Sequence, residues 1–223
     1  MPSLPLTKVP AATAVEVCRN FELKTDARPL LSENQTPREF VEALLAERKN
    51  AAAIEFLAHA LPAREAIWWG CLCLQHAGGS SASPPEVAAE RAAVRWVLDP
   101  SEENRRAAKP AGETAGISTP GGCLAMAAAW TGGSLAPPVA PVHPKAPPIP
   151  PVPPGPFLPA KAVAGAVTLA AVRSEPARIV DTQRRFVELG IGVAEGQFPW
   201  PEAKRASKKV EVARTWKQRV SRV

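Results

Sequence analysis

The chain has 223 residues, of which 46% are apolar and 5% aromatic; alanine occurs 41 times and tyrosine is absent. That length supports one sizeable core with appended segments, and the alanine bias favours helix and argues against a β-rich fold. The formal charge of +6 is unevenly placed: residues 203–223 hold eight Lys or Arg against Glu211 alone, leaving 19 basic and 20 acidic residues elsewhere, so a generally basic surface is excluded and the excess belongs to a C-terminal tail.

Residues 1–12 are broken by proline and read as irregular, with neither the charged region nor the apolar run of a secretory leader. A short amphipathic helix is expected from Thr13 to Leu23, with Val15, Cys18 and Leu23 on one side, before Asp26 to Asn34 interrupts it. Thr36-Pro37-Arg38-Glu39 combines a capping threonine, a first-turn proline and a glutamate placed to reach back, so a helix over about 37–48 follows, with Phe40, Leu44 and Leu45 apolar. Asn50 then reads as the cap of a segment from Ala51 to Ala60, with Ile54, Leu57 and Ala58 inward.

The next helix organises the rest. Pro62 suits a first turn, and Ala66 to Leu74 passes nine residues without a charge, more than two helical turns, so residues 62–76 form a helix apolar on all sides that other elements must enclose. Ile67, Trp68, Trp69, Cys71, Leu72, Cys73 and Leu74 are therefore the expected structural core. After Gly78-Gly79, Ser83-Pro84-Pro85-Glu86 repeats the capping-box pattern and opens a helix to Leu98, with Val87, Val94, Val97 and Leu98 inward and Trp96 at the rim. Asp99-Pro100 starts a polar, surface helix through Glu102, Asn104 and Arg105, and Thr119 to Trp130 is a short apolar one.

Between Pro137 and Pro159, 12 of 23 residues are proline, which compels an extended polyproline II conformation. As a ligand this run offers P-x-x-P frames at Pro147 to Pro150 and Pro150 to Pro153; as structure it is a stiff strap anchored by Ile149, Val152, Phe157 and Leu158, and the strap is the favoured reading. Helix resumes from Ala160 to Arg173. The last body helix starts at Pro176, carries Ile179, Val180, Phe186, Val187 and Leu189, and is expected to end in the glycines from Gly190 to Gly196, before Phe198-Pro199-Trp200-Pro201. In the tail, Ala203, Ala206, Val210, Ala213, Val220 and Val223 recur at helical spacing. Lys204, Arg205, Lys208, Lys209, Arg214, Trp216, Lys217 and Arg219 then form the contact face of a basic amphipathic helix.

Chemistry is hard to place on this pattern. Cys71 and Cys73 stand two apart on a helix and diverge by about 200°, so they cannot share an ion; only Cys73 and His76 could, and two ligands are too few unless Cys18, Cys123 or His59 joins them. With Cys18 and Cys123 they are expected to be free, buried thiols; no metal and no cofactor is expected. The longest late apolar run, Ala162 to Val172, is about half of the ~20 residues that cross a bilayer. No transmembrane segment is expected, and the location expected is cytoplasmic.

The string Leu61-Pro62-Ala63-Arg64-Glu65-Ala66-Ile67-Trp68-Trp69-Gly70-Cys71, the Ala-rich stretch from Ala164 to Ala171, and the close Leu189-Gly190-Ile191 … Gly196 … Trp200-Pro201 together resemble a family of small, uncharacterised helical bacterial proteins, over roughly residues 28–201. Some members are encoded beside type VI secretion genes, so the resemblance implies an accessory or adaptor role there. It carries over no functional residue.

The expectation is an all-α, compact multi-helix bundle of seven or eight helices around the Trp68-Trp69 helix. It is organised as an N-terminal segment (1–35), a helical body (36–136), the proline strap (137–159), a helical pair completing the body (160–201) and the basic tail (202–223). The leading function is a non-catalytic adaptor or accessory protein with a protein partner. The alternatives are a nucleic-acid or anionic-surface binder acting through the tail, and a cysteine-dependent enzyme.

Overall fold

In the computed structural model the described residues are 5–78, 82–135, 150–173 and 176–201. They form an all-α bundle of nine α-helices with no strand among them: α1 (Ala14–Cys18), α2 (Pro37–Ala46), α3 (Asn50–Ala60), α4 (Ala63–His76), α5 (Pro84–Leu98), α6 (Glu102–Ala115), α7 (Pro120–Ala129), α8 (Leu158–Val172) and α9 (Ile179–Ala194). Short 3-10 turns occupy Arg28–Leu30 and Pro176–Arg178. None of the described helices is long and apolar enough to cross a membrane. The tail residues Lys204, Arg205, Lys208, Lys209, Arg214, Trp216, Lys217 and Arg219 lie outside the described residues, as do the strap residues up to Ile149.

Where local chemistry sets the helix ends, the sequence pattern holds. Thr36 and Glu39 form the capping box of α2: the Thr36 hydroxyl accepts from the Glu39 N–H at 3.3 Å, and the Glu39 carboxylate accepts from the Thr36 N–H at 2.8 Å. Thr119 caps α7 in the same manner, with its hydroxyl accepting from the Gly122 N–H at 3.1 Å. α6 is polar and lies at the surface as its sequence implied, burying only Ala108 and Gly112, although Ser101 and not Asp99 is its cap.

Elsewhere, packing overrides the local pattern. Helix α1 is shorter than expected and turns Ala14 and Val17 inward, leaving Val15 half-buried. Asn50 does not cap α3; it is the helix's first residue, is 4% exposed, and reaches across to α9, its amide donating to the Val180 carbonyl at 2.9 Å. Ser83 makes no side-chain cap on α5, and Glu86 turns into the body instead of back to the helix end. The buried face of α5 is Glu86, Ala89, Ala92, Ala93, Trp96 and Val97, so Trp96 sits in the core and not at its rim.

The centre is held by two helices, not one. Every residue of α4 from Ala66 to Leu74 is buried, which includes Ile67, Trp68, Trp69, Cys71, Leu72, Cys73 and Leu74. All ten residues of α7 are buried too, enclosed by α4, α5, α6 and α8. Helix α8 is shared: it packs on α7 and α4 on one side and on α3 on the other, and α9 closes over α3, α4 and α8.

Helix α9 does not stop at its glycines; it runs through Gly190 and Gly192 to Ala194. A Cβ at Gly190 would lie 2.9 Å from both Leu57 and the Trp69 ring, and one at Gly192 would meet the Phe198 ring. These glycines let α9 and the loop after it approach closely, which outweighs their cost of about 1 kcal/mol in a helix interior. The helix turns off at Gly196, whose φ of +82° is the conformation that glycine adopts freely.

Candidate functional site

The most distinctive string of the sequence, Arg64 to Trp69, holds the two ends of the body together. The Trp69 indole N–H donates to the Phe186 carbonyl of α9 at 2.7 Å, and one residue earlier the Trp68 indole donates to the Phe198 carbonyl, also at 2.7 Å. One turn before Trp68, the Arg64 guanidinium lies 4.1 Å over the Trp200 ring and donates to the Val97 carbonyl at the end of α5 at 2.7 Å. Buried indoles need an acceptor, and the helix and loop carbonyls supply it. Arg64, Trp68 and Trp69 thus fasten the Phe198-Pro199-Trp200-Pro201 close onto α4. On the other side of that close, the Ala194 carbonyl accepts from the Lys8 N–H at 2.8 Å, and Glu195 pairs with Arg38.

The four cysteines are free, and three of them are buried. Burial pushes the thiols of Cys71 and Cys73 well above the ordinary range, with the nearby Glu90 charge adding to the effect on Cys71, and lifts Cys18 to about 11. The Cys123 thiol, also raised by burial, donates to the Ile117 carbonyl at 2.9 Å. Burial thus disfavours the thiolate form in all four. The described residues contain no group of three or more His, Cys, Asp or Glu placed to hold a metal ion.

A second polar cluster lies inside the bundle where α5, α7 and α8 meet. Glu86, 3% exposed, takes both guanidinium nitrogens of Arg173, at 2.6 and 3.0 Å, and its carboxylate also accepts from the Gly121 N–H at 3.4 Å. Glu90 follows one turn later, and burial and then the Glu86 charge raise its pKa. The local pattern of Ser83 and Glu86 is that of a capping box, which hides this pairing. The signal was nonetheless present: Glu86, Glu90, Ala93 and Val97 follow the spacing of a buried helical stripe.

Among the described residues, an open cleft of about 490 Å³ lies between the N-terminal segment, α3 and α8, lined by Phe21, Glu22, Leu23, Lys24, Thr25, Glu55 and Lys161. Beside it stands His59, one turn after Glu55 on α3. Its ring stacks on Phe21 at 4.7 Å and leans on Phe157 at 6.0 Å. Both imidazole nitrogens are sealed from solvent and have no hydrogen-bond partner. Burial, with a contribution from the Lys161 charge, lowers the His59 pKa to about 4, so the ring is neutral near pH 7 and carries one unused donor and one unused acceptor. Phe157 is the residue through which the proline segment enters α8. Phe157 is 38% exposed with its ring against His59, whereas Val152 is 52% exposed, so of the residues expected to anchor a strap Val152 faces outward.

No curated protein and no solved structure matches this chain. A family model does match, over residues 40–194, which takes in α3 to α9, the Trp68-Trp69 helix and the Glu86–Arg173 pair but neither the N-terminal wall of the His59 cleft nor the Phe198–Trp200 close. On that match the chain belongs to DUF6931, a family of unknown function.

Proposed function

We propose that the protein is a non-catalytic adaptor or accessory component of a bacterial protein assembly, with type VI secretion as the setting that the sequence resemblance suggests. The observation that carries this reading is how the special residues are used. Arg64, Trp68 and Trp69 are consumed in holding the fold. The large apolar side chains left exposed include Val152 beside the proline segment, together with Ile117, Val172 and Val180, and these are free to serve as contacts. The basic tail adds a second contact element by its sequence pattern. A comparison of proteins co-purifying with the full chain and with a 1–201 truncation from nuclease-treated lysate tests the reading. A defined protein set lost with the tail supports it; identical or empty sets remove the tail from the account.

The charge concentrated in residues 203–223 favours a second reading, binding of nucleic acid or an anionic surface. It requires affinity that falls steeply with salt, because several phosphate contacts release several counterions. A cysteine-dependent activity has the least support, since burial raises the thiols.

A further inference from the structure

We infer that residues 150–156 form a polyproline ligand, displayed on a ridge of Pro150 and Pro153, for a partner protein whose groove is lined by aromatic side chains. This names the partner class for the adaptor reading and rests on it.

Five of these seven residues are proline, each with φ locked near −65°, and the other two, Val152 and Gly155, each precede a proline and are held out of the helical region. Such a run has a period of three. At that period Pro150 and Pro153 fall in one row, and both are exposed; Pro156, also exposed, opens the turn that leads into α8. The neighbouring row, Pro151 and Pro154, includes the half-buried Pro154. The segment is also held in place at its middle and at its α8 end. The Val152 N–H donates to the Ser134 hydroxyl at 3.0 Å and its carbonyl accepts from the Leu135 N–H at 2.7 Å; the Gly155 carbonyl accepts from the Leu158 N–H at 3.0 Å; and Phe157 rests against His59. A segment fixed in this way has already met much of the ordering cost of binding.

What the ridge offers defines what can recognise it. It presents flat apolar rings and the carbonyls of its prolines, with the Val152 N–H and the Val152 and Gly155 carbonyls already used inside the chain. A complementary surface must stack on the rings and donate to the carbonyls, as indole and phenol side chains do. The outward Val152 side chain, which a purely structural strap would bury, supplies an apolar flank.

The test places a photo-crosslinking amino acid at position 152 of the full chain, and in a second sample at the equally exposed Val180 of α9, in lysate of the source cells. Capture alone is insufficient; the captured protein is purified and titrated. The expectation is a partner specific to position 152 that binds the P150A/P153A chain at least tenfold more weakly. The same partner is displaced by a synthetic peptide of residues 147–157, and its affinity for the P151A chain changes less than threefold. Unchanged helical circular dichroism guards against misfolding. No partner specific to position 152, equal binding to P150A/P153A, or an equal loss with P151A overturns the inference. If position 152 captures nothing while the tail comparison still yields a partner set, the ridge fails and the adaptor reading stands.

Discussion

Trp69 and Phe186 are joined across the core by one hydrogen bond, from the indole N–H to a helix carbonyl 2.7 Å away, with the Trp69 side chain fully enclosed. Two separable contributions follow from that geometry. Trp69→Phe keeps most of the ring volume and loses the bond, and should cost about 1–3 kcal/mol. Trp69→Ala also leaves a cavity and should cost about 3–5 kcal/mol. Urea denaturation of both variants separates the two; a neutral Trp69→Phe would mean that the bond contributes nothing.

The same contact fixes the sign of Gly190→Ala. Alanine in a helix interior is worth about 1 kcal/mol over glycine, so propensity alone predicts a gain. The new Cβ would sit 2.9 Å from Leu57 and from the Trp69 ring, and the indole is tied down by its hydrogen bond. Overpacking of that kind costs about 1–3 kcal/mol, so a net loss is expected. A raised melting temperature for Gly190→Ala would show that α9 can shift away from α4.

Arg64 serves the Trp200 ring and the Val97 and Leu98 carbonyls at the end of α5, and Trp200 serves Arg64, so the two truncations should not be equal. Trp200→Ala removes a cation–π contact worth about 0.5–1 kcal/mol at a half-exposed site. Arg64→Ala removes that and the bond to Val97 as well, leaving the end of α5 without its donor, and should cost more. A double-mutant cycle between them should give a coupling of about 0.5–1 kcal/mol; a coupling of zero would mean that the stacking seen here has no energetic weight.

For Glu86 and Arg173 the asymmetry lies in burial: the Glu86 side chain is 4% exposed and that of Arg173 35%. Arg173→Ala strands a buried carboxylate and should cost about 3 kcal/mol, whereas Glu86→Gln leaves an arginine that can turn to water and should cost less. Chemical denaturation at pH 7 ranks them. The reverse order would mean that Glu86 gains its main support from the Gly121 N–H and not from Arg173.

These cases also mark what the sequence could disclose. The α2 capping box and the enclosed α4 were legible because each depends on residues within a few positions of one another: Thr36 with Glu39, and nine uncharged residues in a row. Asn50, Glu86 and Gly190 were misread for the opposite reason. Each has a strong local meaning, as cap, capping box or helix end, and each is used by a partner far along the chain: Val180, Arg173 and Trp69. The His59 cleft draws its walls from three separate stretches around Phe21, Glu55 and Lys161, and no single window of the sequence contains it. Tertiary demand overrides local signal most where a polar residue or a glycine faces another helix.

His59 gives the last prediction, and its sign follows from which state takes up the proton. In the unfolded chain the imidazole titrates near its ordinary value of 6.5; in the folded chain burial, aided by Lys161, holds it at about 4. Between those two values the unfolded state binds a proton that the folded state refuses, so stability is full above about pH 6.5 and falls as the pH drops toward 4. Glu90, raised by burial, tilts the opposite way, and Glu39 and Asp26, lowered by hydrogen bonds from Thr36 and Lys49, act at the acid end. All three are common to wild type and variant. His59→Phe preserves an aromatic ring against Phe21 and removes the two unpartnered nitrogens. The difference in urea midpoint between wild type and His59→Phe should therefore grow in favour of the variant as the pH is lowered from 7 to 4. Parallel curves would mean that the His59 nitrogens find solvent or a partner when protonated.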